Sequence, residues 1–355
     1  MASGQRWLIK AMPVTQDSHN WPPAAGHWPL TKPHRRALLF LFAAFCFSCG
    51  HQQSSDPAKS RITTASGVRV RSEPAESAGE IARLALGAIV RELGRTPDKG
   101  RAGSLEDYWY RVATPDGKEG WVFGGLTAPF DVSDRDTIYL KIASERLSVK
   151  DAVFADLVDL YSFLSTAAGE VKDRAVQGEL ALARLLALKR SLEEIPFDKQ
   201  QEPQYANWIK SQEENLVYNE PAGQWIVISD LFWELQKKHG DLPLAERIAW
   251  EAANNPLPGE CEGYFPCYLA FFNRTKGRYL ELYPGGEHAE EAINDLVESL
   301  DDIRALRETA SPPDQEERGE ARKELNKLRE TVAKTSGNRK AELLKHVDDY
   351  LKYYG

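Results

Sequence analysis

The densest chemistry in the chain lies at Pro258–Cys267, PGECEGYFPC, where two thiols stand six residues apart among glycines and prolines. A thiol pair of this kind can attack, ligate or cross-link. Attack needs a base held against the sulfur, and His288 and His346 both fall in stretches that read as helix. A tetrahedral metal site needs four ligands, and two thiols without neighbouring His or further Cys leave it half built; no metal and no cofactor is expected. The simplest reading is a Cys261–Cys267 disulfide that pins a loop, in keeping with the export signal described below. So short a ring is worth about 2 kcal/mol.

The second constellation is aromatic. Asp107–Phe123, DYWYRVATPDGKEGWVF, carries Tyr108, Trp109, Tyr110 and Trp121 on two short apolar runs around Pro115-Asp116-Gly117. Alternation of aromatic or β-branched with polar residues over Tyr108–Ala113 is the period of a half-buried strand. Proline sets the first corner of the turn, aspartate can bond nearby backbone, and glycine takes the positive φ. The segment therefore reads as a β-hairpin with a Trp on each arm. Large aromatics here serve the core first. The functional alternative is an aromatic groove of Tyr108, Trp109, Tyr110 and Trp121 for a glycan or peptide.

These residues need elements to hold them. Arg61–Phe130 reads as short strands and turns: Ile62–Ala65, Val68–Arg71, Ile81–Leu84, Ala88–Leu93, a loop over Gly94–Leu105, then the hairpin. Such spacing suggests a small barrel, with Val70, Ile81, Val90, Val112 and Val122 as its core and Gly120 allowing a bend. From Asp134 the period changes to helical. Helices are expected over Leu147–Ala167, with Ser148 as N-cap, and over Lys172–Glu194, Trp225–His239, Pro243–Asn254, Tyr268–Tyr283, Glu287–Leu306, Glu316–Lys334 and Asn338–Tyr354. The fold class is thus multidomain: a small all-β barrel, 61–130, followed by an α-helical bundle or solenoid-like domain, 134–306, and a closing helical pair, 316–355.

At 355 residues with 42% hydrophobic and 28% charged, the chain has an ordinary globular composition. Net charge is −8, and −12 once the basic segment Met1–Ser48 is set aside, which argues against nucleic-acid binding. Within that segment His34-Arg35-Arg36 precedes the apolar run Ala37–Ser48, too short to span a membrane and shaped as a secretory signal. A start assigned too far upstream would account for 1–33, and 49–60 is a polar linker. Phe47-Ser48-Cys49-Gly50 resembles the lipobox of bacterial lipoproteins. That resemblance implies lipidation at Cys49 and a membrane anchor facing the periplasm or cell surface. Gly50 leans toward the outer membrane, and plain secretion is the alternative.

Val68-Arg69-Val70-Arg71-Ser72-Glu73-Pro74, Trp109-Tyr110-Arg111-Val112 and Asp116–Val122 resemble, in order, three motifs of bacterial SH3 domains. The resemblance implies an SH3-like barrel that binds cell-wall peptide (peptidoglycan) or an envelope protein, and it implies no catalysis. Arg278–Ala292 resembles one tetratricopeptide-type helix pair without a second copy; Ala289 and Ala292 would allow close helix approach, and His288 is expected on the surface of the first turn. Glu260-Cys261-Glu262-Gly263 is similar to the nucleophile context of cell-wall cysteine peptidases that are often joined to bacterial SH3 domains. The expected function is therefore a non-catalytic envelope lipoprotein. The alternatives are a peptidase using Cys261 and a purely structural barrel.

Overall fold

A computed structural model describes residues 59–304 and 312–355, so the signal segment, Cys49 and most of the linker lie outside the described residues. The chain divides into two compact units between Asp134 and Arg135.

The first unit is a curled antiparallel sheet. Its strands are β1 (Ser60–Thr63), β2 (Val68–Arg71), β3 (Glu80–Leu84), β4 (Ile89–Arg95), β7 (Trp109–Ala113), β8 (Glu119–Phe123) and β9 (Thr127–Phe130), in spatial order β3-β2-β8-β7-β4-β1-β9. The ladder leaves β3 and β9 as its two edges, so the expected barrel is a half-barrel in its hydrogen bonding. Alternation along the strands turns Val68, Val70, Leu84, Val90, Val112 and Val122 into one core. Ile81, expected in that core, is 39% exposed. The β2–β3 register shifts between Val70 and Arg71, so that Ala82 faces Val70 and Glu80 faces Arg71. A bulge of this kind re-aims the side chain between the two pairs. The expected loop Gly94–Leu105 contains a two-stranded ribbon, β5 (Gly100–Ala102) with β6 (Leu105–Asp107).

The central hairpin closes as its turn residues dictate. Gly117 has φ +82°, the Thr114 hydroxyl donates to the Asp116 carboxylate, and the Thr114 amide donates to the Lys118 carbonyl at 2.9 Å. Gly120 serves packing. A Cβ there would stand 2.6 Å from Val70 Cγ1 and 2.7 Å from the Arg71 carbonyl oxygen. Strand β8 can approach β2 this closely only without a side chain. Gly120→Ala is expected to lower the stability of the sheet by about 2 kcal/mol or more through overpacking, read as a lower urea midpoint at unchanged m-value. An unchanged midpoint would remove the close approach from the account.

The second unit is helical: α1 (Arg135–Leu147), α2 (Phe154–Glu170), α3 (Arg174–Glu193), α4 (Pro203–Ser211), α5 (Ser229–Lys238), α6 (Leu244–Asn254), α7 (Phe265–Arg274), α8 (Lys276–Leu282), α9 (Ala289–Asp302), α10 (Gln315–Ala333) and α11 (Lys340–Tyr353). Three expected helices are broken differently. Leu147–Ala167 spans the end of α1 and the start of α2, and the Ser148 hydroxyl donates back to the Glu145 carbonyl, closing α1 instead of capping the next helix. Trp225 and Ile226 belong to a strand, β11 (Gln224–Val227), paired with β10 (Leu216–Asn219), and Trp225 packs on Tyr218 across that pair. Tyr268–Tyr283 is interrupted at Thr275. The closing pair is no separate body: Leu325, Leu328, Val332, Leu343 and Val347 share one core with Phe232, Ile248, Leu269 and Leu296.

His239, at the end of α5, is 1% exposed and neither ring nitrogen has a hydrogen-bond partner among the described residues. Burial depresses its pKa below the usual 6.5, Lys238 and Arg174 add to the depression, and Asp241 opposes it. As pH falls below about 6.5 the unfolded chain takes up a proton that the folded unit refuses, so stability declines with acid at about 1.4 kcal/mol per pKa unit of depression. His239→Leu is expected to flatten the unfolding free energy between about pH 6.5 and 5. A variant whose acid limb matches the wild type would assign the loss to other groups.

Candidate ligand-binding face of the sheet

The outer face of the half-barrel follows from the same alternation that builds its core. With Val70, Val112 and Val122 inward, Arg69, Arg71, Arg111 and Trp121 point outward. The registers set one row across five strands: Glu80 opposite Arg71, Arg71 opposite Trp121, Trp121 opposite Arg111, and Arg111 opposite Gly94. Trp121 is half-buried and so shows part of its indole. The space where Gly94 would carry a Cβ is open.

Each arginine of the row is steered by a local partner. Arg71 donates to the Ala78 carbonyl at 2.7 Å, and Arg111 pairs with Glu119 at 2.9 Å with both side chains about half exposed. Beside them, Glu80 pairs with Arg83 at 2.9 Å and Arg69 at 3.3 Å. The hydrogen bond from Arg83 holds the Glu80 carboxyl below its ordinary range. Exposed pairs of this kind are weak in water and open readily for an incoming anion. Guanidinium groups beside an indole can take a carboxylate in a two-pronged grip while the ring supplies an apolar platform.

The other aromatics expected at the site lie elsewhere. Trp109 is 4% exposed, packs edge-on against Phe123 at 5.3 Å, and is covered by Gly100 of β5, where a Cβ would stand 2.7 Å from the indole nitrogen. Tyr110 is on the inner side against the core and lies under the Arg61 guanidinium at 3.5 Å. The Tyr108 ring faces Arg95 at 4.4 Å. Of the four, Trp121 is the one set within the arginine row. The arginines were missed as site residues, although the hairpin's alternation already turns them outward.

In the helical unit Cys261 and Cys267 form a disulfide, and Cys261 is buried. The sulfur that a peptidase would use as nucleophile is therefore bonded to Cys267. His288 stacks on Trp250 at 4.4 Å rather than standing free on the surface, and His346 lies against Arg304. Ala289 and Ala292 are buried where α8 and α9 approach. One group of possible metal ligands, Asp301, Glu342 and His346, occurs among the described residues; Arg304 bonds both Asp301 and His346 there, which places a cation's charge in the middle of the cluster. Among the described residues no helix is long and apolar enough to cross a membrane.

No curated protein and no solved structure matches the chain at a significant level. Residues 66–128, which run from the first turn to β9 and contain the whole arginine–tryptophan row, match the family model of the bacterial SH3 domain, and this part of the chain is an SH3 domain of that kind.

Proposed function

We propose that this chain is a non-catalytic binding protein of the bacterial cell envelope. Its SH3 domain takes a carboxylate-bearing cell-wall peptide, or a protein segment of like chemistry, on the outer face of the sheet, and its helical unit is the scaffold. The observation that carries this reading is the Arg71–Trp121–Arg111 row. The charge distribution supports it: residues 59–130 carry eleven Lys/Arg against nine Asp/Glu, whereas 131–355 carry 29 against 42. An anionic ligand is thus steered to the sheet rather than to the helices. The Cys261–Cys267 disulfide fits an oxidising compartment. Lipidation at Cys49, with outer-membrane placement, completes the proposal.

Co-sedimentation with purified peptidoglycan tests it. The wild type is expected in the pellet, with retention weakened at least about tenfold, or about 1.4 kcal/mol, in Trp121→Ala and in Arg71→Gln/Arg111→Gln. Thermal unfolding of each variant checks that the sheet persists. Wild-type protein left in the supernatant would sink the wall-binding reading, and variants that bind as well as wild type would move the site off this face.

A further inference from the structure

We infer that a cleft in the helical unit is a second binding site, for a small zwitterion: a free amino acid or the end of a short peptide. The cleft has a volume of about 250 Å³ and opens where the start of α5, the end of α7, α8 and α10 meet. That is below the ~300–1,000 Å³ of sites for drug-sized ligands, so its occupant is small.

Three cations line it, Arg274, Arg278 and Lys327, with two carboxylates, Asp230 and Glu281. Among the described residues none of the five takes part in an ion pair, although opposite charges share one small cleft. Charges that line a gap without meeting across it are placed for a ligand that bridges them. Arg278 is held in position by stacking on Trp233 at 4.2 Å, which keeps the guanidinium plane ready for a carboxylate.

An independent observation comes from the wall. Asn273 is 2% exposed, and its amide nitrogen is engaged by the Glu324 carbonyl at 2.9 Å and carboxylate at 2.8 Å. Its Oδ1 is buried without a partner. Buried acceptors are ordinarily satisfied; Asn273 lines the cleft together with Asp230 and Glu281, whose carboxylates suit an ammonium or amide N–H. The cations then take the carboxylate, and Trp233 with Leu257 supplies an apolar wall for a small side chain.

Calorimetric titration of the full chain with D-alanyl-D-alanine, its N-acetylated form and acetate tests the inference. The dipeptide is expected to bind in the millimolar range or tighter, about 4 kcal/mol or more. Arg274→Gln/Lys327→Gln, both at exposed positions, is expected to weaken it about tenfold or more, and Asp230→Asn about fivefold. Acetylation should cost a similar factor and remove the sensitivity to Asp230→Asn. Absence of heat with the dipeptide at about 10 mM, or equal binding by the double variant, overturns the proposal. The SH3 face is untouched by these substitutions, and the same titration of Trp121→Ala with the soluble dipeptide reads the two sites apart: its affinity is expected to match the wild type.

Discussion

Truncation of the chain before Pro312 is expected to abolish the cooperative unfolding of the helical unit. Helices α10 and α11 place Ala321, Leu325, Leu328, Val332, Leu343, Val347 and Tyr350 in its core, each 2% exposed or less. Tyr350 also donates to the Leu300 carbonyl at 2.7 Å, closing the end of α9, and Asn273 reaches across to Glu324. Burial of a large apolar side chain is worth roughly 1.5–3 kcal/mol. The six large ones together come to about 9–18 kcal/mol, as much as the roughly 5–15 kcal/mol by which a whole domain is stable. Circular dichroism should show a broad, low-amplitude melt in place of a sharp one. Leu325→Ala gives the graded form of the same test, a loss of about 2–5 kcal/mol. A truncated chain that keeps a sharp transition would make the last two helices an appendage.

Arg61→Ala is expected to cost the SH3 sheet about 3–5 kcal/mol. Arg61 is 5% exposed on β1, where it donates to Thr127 Oγ1 at 2.9 Å and to Glu92 at 3.3 Å and covers the Tyr110 ring at 3.5 Å. One side chain thus links β1, β4, β7 and β9. Its removal leaves Glu92, 18% exposed, with its counter-ion gone. A unit of this size rarely holds more than about 3–5 kcal/mol in its core, so the sheet would be largely unfolded. Arg61→Lys keeps the charge and loses the planar stack, and is expected to recover about half. Hydrogen exchange over these four strands reads the effect; unchanged protection would demote Arg61 to a surface pair.

The SH3 unit was legible because its signals are local. A Pro-Asp-Gly turn, alternating valines and a glycine between them settle a hairpin from within a few residues. The same alternation turns Arg71, Arg111 and Trp121 outward, so the candidate face is already present in the pattern. Ile81 escaped because a one-residue bulge reverses the side a residue faces, and period-2 counting has no term for it. The helical unit was legible in its long, strongly apolar runs. It was misread where a short strand, β11, carries residues that also fit a helix.

By itself the sequence determined the change from strands to helices, the hairpin, the inward valines and the pairing of Cys261 with Cys267; that the closing helices share the core of the others it did not show. What it determined rests on period, turn chemistry and proximity along the chain. Only the tertiary structure decided which aromatic remains outside, because Trp109 and Trp121 have like sequence surroundings and differ in what folds over them. Only it joined Arg274, Arg278 and Lys327 at one cleft with Asn273. Contacts between helices far apart in the chain depend on how ridges seat in grooves, and no spacing along one helix specifies its neighbour.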